Sequence, residues 1–272
     1  MRLFVNRVLF AGFASLVGAF FALPMLWLIF APFDRTPTLA AEIPNPPTLD
    51  NFFDVFDNPQ VLRSLGNSLL LVVGVVGLVI AVGAPAAYVL SRIRFPGRDL
   101  FLYLLLLLSS VITGAAALVP IYLLIFGLDL TDTFTGVILA LGGGMLPASI
   151  FILKDFTDGL PRSYEESARV FGASTLQVLR DVVFPVVRPG LVVIAVWTGV
   201  QVWGAFLLPF ILLRSPDKSP GAVLMYSFYT EGGQPNLRVL SAFALLYTVP
   251  ILVLYAFVNR RYGFRFHGGI KR

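Results

Sequence analysis

The stretch "YEESARVFGASTLQVLRDVVFP", residues 164–185, is a charged, helix-forming segment between two of the most apolar segments of the chain. Ser163 and Glu166, three residues apart, have the spacing of a capping box, which predicts a short helix over 164–171. Gly172 is placed to end that helix in the left-handed conformation that glycine adopts without strain. The opening half of the stretch therefore predicts one short, well-delimited helix.

The second half repeats the same signals. Ser174 and Gln177 form another capping-box pattern, and the helix that they start is expected to run to about Phe184 and stop at Pro185. The loop carries similar numbers of acidic and basic residues, which is not typical of a lipid-binding polybasic strip. The stretch thus predicts a helix–turn–helix that projects from the membrane and docks a protein.

The surroundings of this stretch are typical of a membrane protein. The chain has 272 residues, of which 57% are hydrophobic and 13% charged, with a mean hydropathy of +0.85. Six apolar runs reach about 20 residues, the length at which a helix crosses a hydrocarbon core. These runs are about 8–31, 69–90, 100–126, 134–153, 190–213 and 239–258. The sequence predicts an all-α, polytopic membrane protein with six transmembrane helices in a single domain over 1–272.

The distribution of basic residues gives an orientation. Fifteen of the 20 Lys and Arg residues lie at the N terminus, between runs 2 and 3, around the loop between runs 4 and 5, or in the C-terminal tail. Cytoplasmic loops carry an excess of Lys and Arg. Both termini and the loop around residues 164–185 are therefore expected in the cytoplasm, and the basic balance indicates topology and not nucleic-acid binding.

The residue types that are missing from the six runs and from the whole chain make several function classes less expected. No Asp, Glu, Lys, Arg or His lies inside any of the six runs, whereas ion-coupled carriers usually have such groups within the membrane. The chain has no cysteine, its one histidine is His267 in the tail, and no Walker A pattern occurs. Metal catalysis, a histidine-dependent triad and ATP binding through a Walker A loop are therefore not expected in this chain.

Some neutral polar and aromatic side chains lie within or beside the runs. Hydroxyl and amide groups next to aromatic faces suit a neutral, polyhydroxylated ligand. The same residue types also join helices to one another or anchor a span at the interface, so both interpretations stay open. The candidate pathway residues are Ser109, Tyr122, Gln201, Trp203 and Phe206.

The loop has a specific resemblance. It is similar to the EAA loop of ATP-binding-cassette importer permeases, pattern E-A-A-x₃-G-x₉-I-x-L-P, with the spacing from Glu to Gly to Pro kept. The matching residues are Glu166, Ala168, Gly172 and Pro185, whereas Ser167, Val182 and Phe184 replace the first Ala, the Ile and the Leu. Phe171 departs from the Asp that the family often has before the Gly.

Other segments resemble the carbohydrate-uptake subfamily of these permeases. They are "NSLLLV" from Asn67, "AAYVLSRIRFPGRD" from Ala86, "GLPRSYEESA" from Gly159 and "WGAFLLPF" from Trp203, which has Gly204 where the family has Asn. The resemblance covers nearly the whole chain. It implies a type I importer permease fold with a cytoplasmic coupling helix in an EAA loop at about 158–188.

The resemblance also implies partners and roles. This chain would form half of the translocation pathway for a sugar or oligosaccharide, without enzymatic activity or a cofactor of its own, since ATP and Mg bind to a separate ABC ATPase dimer. A second permease subunit, an extracytoplasmic solute-binding protein and membrane lipid would complete its surroundings in the cell's cytoplasmic (inner) membrane. The implied ATPase-coupling residues are Glu165, Glu166, Ser167, Ala168, Phe171, Gly172 and Ala173.

Three alternatives remain open on the sequence alone. Related chains carry polyols or glycerol phosphates, although a phosphorylated solute favours cations that the six runs do not contain. A self-contained ion-coupled carrier predicts transport by this chain alone. A membrane scaffold, whose loop docks another cytosolic protein, predicts no ATP-coupled uptake.

Overall fold

The computed structural model describes residues 2–112, 117–230 and 235–262, and helices are the regular structure found there. The helices are α1 (Arg2–Phe30), α2 (Asp50–Asp57), α3 (Pro59–Arg92), α4 (Arg98–Ile112), α5 (Leu118–Gly127), α6 (Phe134–Asp158), α7 (Arg162–Val170), α8 (Thr175–Trp203), α9 (Leu207–Leu212), α10 (Gly221–Thr230) and α11 (Leu237–Tyr262). Short 3₁₀ turns lie at Ala31–Phe33 and Pro216–Lys218. The all-α prediction is confirmed for this part of the chain.

Four of these helices, α3, α6, α8 and α11, are long and apolar enough to cross a bilayer. The segment 10–33 bends by 40° near Pro24 and adds a fifth if its two parts form one span. The run predicted over 100–126 corresponds to α4 and α5, and residues 113–116 between them lie outside the described ranges. The count of six spans therefore stays a prediction. The run predicted to reach residue 213 is interrupted, since α8 ends at Trp203 and α9 begins at Leu207.

The chain divides into two compact units, each considered separately here. Unit 1 comprises Met1–Arg63 and Val223–Ala256. Its polar anchor is the buried Asn51 of α2, whose amide group donates to the carbonyl of Pro32 at 3.0 Å and accepts from Arg238 Nε at 3.0 Å. Arg238 also pairs with Asp54 at 2.8 Å. These contacts fix the short helix α2 within the long segment that follows α1.

Unit 2 comprises Ser64–Ala222 and Phe257–Arg272, and its core lies among α3, α6 and α8. Buried aliphatic side chains of the three helices, such as Val79, Ile150 and Ile194, pack in one cluster. Gly142 allows α3 and α6 to approach closely, because a Cβ there would lie 2.6 Å from Leu78 Cδ2. A Cβ on the next residue, Gly143, would in contrast meet open space.

Two local predictions were wrong. The helix around residue 164 begins at Arg162 with Pro161 as its N-cap, so Ser163 lies inside the first turn and makes no capping bond. The next helix does not stop at Pro185 but continues as α8. A π-helical turn over Val178–Val183 precedes the proline, and Phe184 N–H donates to the carbonyl of Leu179, five residues back. This wider turn accommodates a residue that lacks an N–H and whose ring would collide with the carbonyl four residues back in a regular helix.

An ion-paired cluster closes the end of unit 2 opposite α7. Asp132, in the left-handed region with φ of 54°, lies between α5 and α6. Its carboxylate accepts from the Ser215 hydroxyl at 2.5 Å, from Lys218 Nζ at 2.9 Å and from the backbone N–H of Arg214 at 3.0 Å. The segment after α9 is thereby tied to the turn before α6.

Acid is expected to weaken this cluster. The hydrogen bond from Ser215 and the contact with Lys218 hold the pKa of the Asp132 carboxyl well below its ordinary value of 3.8. A lowered pKa in the folded protein gives stability that is present above the ordinary value and lost as the pH falls toward the folded value. The melting temperature of the purified chain should therefore fall between about pH 5 and about pH 3 more steeply in the wild type than in Asp132→Asn. Asn tolerates the same backbone conformation.

Asp217→Asn is the matched control, because Asp217 lies on the same segment and its side chain is exposed. An Asp132→Asn variant whose acid dependence equals that of the wild type and of the control would show that the Asp132 cluster does not stabilise the fold.

Candidate coupling site

The connection between α7 and α8 is closed by two interlocking caps. The N–H of Gly172 donates to the carbonyl of Arg169 at 2.9 Å and the N–H of Ala173 to that of Ala168 at 3.1 Å, which is the Schellman arrangement. Gly172 has φ of +84°, as predicted. Ser174 and Gln177 then exchange both bonds of a capping box, at 2.7 and 3.4 Å, which confirms the second predicted box. The turn is consequently well defined although it protrudes.

Gly172→Ala is expected to lower the free energy of unfolding by about 1–2 kcal/mol, the cost of a left-handed residue with a side chain. A Cβ at this position meets nothing within 4 Å, so the cost is one of backbone conformation and not of crowding. Thermal unfolding of the purified chain in detergent measures it. Gly143→Ala is the control, since it is equally uncrowded but helical. Equal stability of both variants would refute the assigned backbone role.

The inner face of α7 is held by a buried carboxylate. Glu165 is 5% exposed, and both of its oxygens are used. Oε1 accepts from Arg92 Nε at 2.6 Å and Oε2 accepts from Tyr88 Oη at 2.9 Å. Arg92 Nη2 also donates to the Leu160 carbonyl at 3.0 Å. Because Tyr88 and Arg92 are one helical turn apart at the end of α3, a single side chain joins α7 to that long helix.

A second link ties the end of α6 to the same place. The Ser91 hydroxyl donates to Asp158, and Lys154 Nζ pairs with the other oxygen of this carboxylate at 2.5 Å. Beneath α7 lies a small apolar cluster that contains the buried side chains of Leu160, Val178 and Val183. The base of the α7–α8 connection is therefore packed and ion-paired, and these contacts join it to α3, α6 and α8.

The outer face of the connection is apolar and open. Phe171 is 91% exposed, Val170 84% and Leu176 73%, and no other described large apolar side chain is as exposed as Phe171. Glu166, the glutamate that falls on the EAA pattern, is exposed beside them. We call Val170, Phe171 and Leu176 the apolar tip. Of the seven coupling candidates, Glu165 faces inward and Ala168 and Ala173 pack against the cluster beneath, whereas Glu166, Ser167, Phe171 and Gly172 are exposed.

The candidate pathway residues lie elsewhere and have separate neighbours. Tyr122 accepts a hydrogen bond from Arg214 at 2.7 Å, near the Asp132 cluster. Trp203 is buried at the end of α8, and Gln201, two residues earlier, is exposed. Phe206 stacks on Phe210 with ring centroids 5.2 Å apart. The side chain of Ser109 lies outside the described part. The pathway assignment stays a prediction.

Metal chemistry has no evident place in the ranges that the structure covers. No group of three or more His, Cys, Asp or Glu side chains there could hold a metal ion. The site is a stiff protruding turn with an apolar surface, an arrangement suited to docking.

The chain matches the model of a known protein family. The model of the family described as "Binding-protein-dependent transport system inner membrane component" matches residues 2–267. The chain belongs to this family. It is an ABC importer permease, and the resemblance stated from the EAA pattern is confirmed.

Curated relatives of this permease are similar over most of their length. The maltodextrin transport system permease protein MdxG of Bacillus subtilis is 33% identical over 215 residues, which cover 79% of this chain and 77% of the relative. The trehalose transport system permease protein SugB of Mycobacterium tuberculosis is 30% identical, with 91% of each chain covered. The arabinooligosaccharides transport system permease protein AraQ of Halalkalibacterium halodurans is 29% identical, covering 94% and 92%.

Solved structures share the fold of the permease. A chain from a bacterial ABC transporter involved in the import of the acidic polysaccharide alginate gives a TM-score of 0.82 at 20% identity and covers 95% of this chain and 96% of that one. A chain from the MetNI methionine ABC transporter gives a TM-score of 0.56 at 16% identity, covering 74% and 93%. At these identities the likeness concerns the fold alone.

Sequence reasoning missed the inward partners of α7. Tyr88 and Arg92 are 77 and 73 residues away from Glu165, so no local pattern connects them. A signal was present, however: a tyrosine and an arginine share one face at the end of an otherwise apolar helix, and α7 carries two adjacent glutamates. Of two neighbouring glutamates on a helix, one faces inward and the other is left exposed.

Proposed function

We propose that this permease translocates a neutral sugar or oligosaccharide, and that the ATPase of the importer binds the permease at the apolar tip. The observation that carries the proposal is the contrast across α7. One face of α7 is fixed by the buried Arg92–Glu165 pair, at 12% and 7% side-chain exposure, whereas Phe171, at the end of the helix, is 91% exposed. A folded membrane protein rarely leaves such side chains open on a stiff turn unless another protein covers them.

A movement of the apolar tip would reach the long helices through the contacts of α7 and of the turn that follows it. A displacement of α7 passes to α3 through Glu165 and Arg92, and to α8 through the double-capped turn at Gly172. Both α3 and α8 are long enough to span the bilayer. ATP binding and hydrolysis on the partner then bias two arrangements of these helices, because the partner binds the tip differently in each state.

The solute class rests on relatives and on chemistry. The curated relatives are named for maltodextrin, trehalose and arabinooligosaccharides. The apolar parts of α3, α6, α8 and α11 carry no charged side chain, which suits an uncharged solute. Gln201, Trp203 and Phe206 are candidate solute contacts on this basis. This composition does not favour a phosphorylated polyol or an ion-coupled mechanism.

The remaining parts of the importer follow from the same proposal. ATP and Mg bind to a separate ATPase dimer, a second permease completes the pathway and an extracytoplasmic binding protein delivers the solute. The apolar tip faces the cytoplasm together with both termini. Catalysis of ATP hydrolysis therefore belongs to the partner, and this chain is a transport subunit.

Reconstitution tests the proposed function. The chain is assembled with its partner permease and ATPase in vesicles, and ATP-dependent uptake of labelled maltodextrin, trehalose and arabinooligosaccharide is measured with the binding protein outside. Glycerol 3-phosphate and a no-ATP sample with an imposed sodium or proton gradient serve as comparisons. ATP-dependent uptake of at least one sugar supports the proposal. Uptake driven by the ion gradient, or uptake of glycerol 3-phosphate alone, would contradict it.

A further inference from the structure

A basic cavity lies beside the base of α7, separate from the apolar tip. It has a volume of about 400 Å³ and is lined by four arginines, Arg92, Arg94, Arg98 and Arg162, together with the carboxylate of Asp158. A second cavity of about 390 Å³ shares Arg94 and Arg98 and extends over the turn between α3 and α4. The two cavities form one basic recess, which we call the arginine recess.

Only part of this positive charge is compensated within the chain. Arg92 is paired with Glu165, and Arg98 is paired with Asp99 at 2.9 Å. Asp158 accepts from Ser91 and Lys154. Across the described ranges no carboxylate pairs with Arg94 or Arg162. Among the residues that the structure describes, Arg94 and Arg162 are therefore two guanidinium groups of the recess that form no ion pair.

The backbone adds to the same preference. Two helices begin at the recess, α4 at Arg98 and α7 at Arg162, and no side chain caps the first turn of α7. The first N–H groups of a helix point outward and carry a partial positive charge, so they favour an anion. Phosphate is the anion to which arginine and helix N termini are both matched.

The position of the recess relative to the apolar runs indicates which phosphate compound it would bind. The apolar part of α3 ends at Leu90, and that of α4 begins at Leu100, so the recess lies at the end of both apolar runs, where lipid headgroups lie. Its rim is apolar and exposed. Phe95 and Leu100 line the second cavity and are exposed, and the exposed side chains of Phe101 and Leu104 continue this apolar surface along α4. Inorganic phosphate has no apolar part that could contact these exposed side chains, whereas the acyl chains of a phospholipid can pack along them.

We propose that the arginine recess binds the phosphate headgroup of an anionic phospholipid of the surrounding membrane, with Arg94 and Arg162 as its charge partners and the acyl chains along the exposed face of α4. The lipid then neutralises the charges beside the Arg92–Glu165 pair and steadies the base of α7. This assignment does not depend on the solute that the permease carries.

Native mass spectrometry of the full chain in detergent tests the proposal. The probes are dioleoyl phosphatidylglycerol, dioleoyl phosphatidylcholine and inorganic phosphate. Arg94→Gln and Arg162→Gln are each expected to weaken phosphatidylglycerol binding about fivefold, and the double variant about 25-fold, from the usual effect of one basic residue near an anionic surface. Arg63→Gln, at the other end of α3, is expected to change nothing. Melting temperatures show whether each variant is folded. If the double glutamine variant unfolds, the two single variants carry the test, and Arg94→Lys with Arg162→Lys, which keeps both charges, is expected to bind phosphatidylglycerol like the wild type.

Three outcomes would overturn the proposal. The first is equal binding of phosphatidylglycerol and phosphatidylcholine by the wild type. The second is competition by inorganic phosphate at millimolar concentration, which would make the recess a site for a soluble anion. The third is a folded glutamine variant, single or double, that binds phosphatidylglycerol as the control does; loss of the ATPase subunit from that variant would make the recess a protein-docking surface.

Discussion

Glu165→Gln is expected to lower the free energy of unfolding by about 3 kcal/mol, the cost of leaving one partner of a buried ion pair uncompensated. Glutamine keeps the shape and an acceptor for Tyr88, but it removes the charge that faces Arg92 at 2.6 Å. Arg92 is 12% exposed and has little access to water in its place. Unfolding of the purified chain by heat or by denaturing detergent measures the loss.

Two further variants separate charge from position. Glu166→Gln changes the exposed neighbour of Glu165 and is expected to alter stability by less than about 0.5 kcal/mol. Exchange of both members, Arg92→Met with Glu165→Leu, is expected to recover much of the loss, since a buried pair replaced by apolar groups often costs little. A Glu165→Gln variant as stable as Glu166→Gln would show that the buried pair does not hold α7 to α3.

Phe171→Asp is expected to abolish ATP-driven uptake while leaving the fold intact. An aromatic residue at the centre of a protein interface commonly contributes about 2 kcal/mol or more, which corresponds to a loss of affinity of about thirtyfold or more for the ATPase. Because Phe171 is 91% exposed in the chain alone, its replacement should change the melting temperature little. Binding of the ATPase to the purified permease and ATP-driven uptake are the two readouts.

Ile43→Asp is the matched control for this substitution. Ile43 is 78% exposed, lies in the segment between α1 and α2, and undergoes the same change from apolar to acidic. It is expected to leave ATPase binding unaltered. If Phe171→Asp and Ile43→Asp retain the same affinity for the ATPase, the apolar tip is not where the ATPase docks, even though sugar transport itself remains possible.

Local signals predicted the turn between α7 and α8 well. Gly172 has the expected positive φ, and Ser174 and Gln177 make both expected bonds. These features depend on residues within a few positions of one another, so a sequence pattern is enough. The prediction for Ser163 failed because Pro161 precedes it. The proline is the N-cap of α7, so the helix begins at Arg162 and the serine lies two positions too late to cap it.

The elements that failed depend on tertiary context. A proline such as Pro185 normally ends a helix. Here the wider π turn over Val178–Val183 accommodates the proline, and the helix continues to Trp203. The bond from Arg92 to Glu165 spans 73 residues and depends on where α3 and α7 end in space. Hydropathy located the apolar runs, but it does not show where a run is interrupted, as the end of α8 at Trp203 and the start of α9 at Leu207 show.

The most direct test of the proposed coupling role is photo-cross-linking from the tip in the assembled transporter. A photoreactive phenylalanine analogue replaces Phe171 in one sample and Ile43 in another, and the cross-linked products are identified by mass spectrometry. The account predicts a cross-link to the ATP-binding subunit from position 171 and none from position 43. Cross-links from position 171 to lipid alone, in a transporter that still hydrolyses ATP, would contradict it.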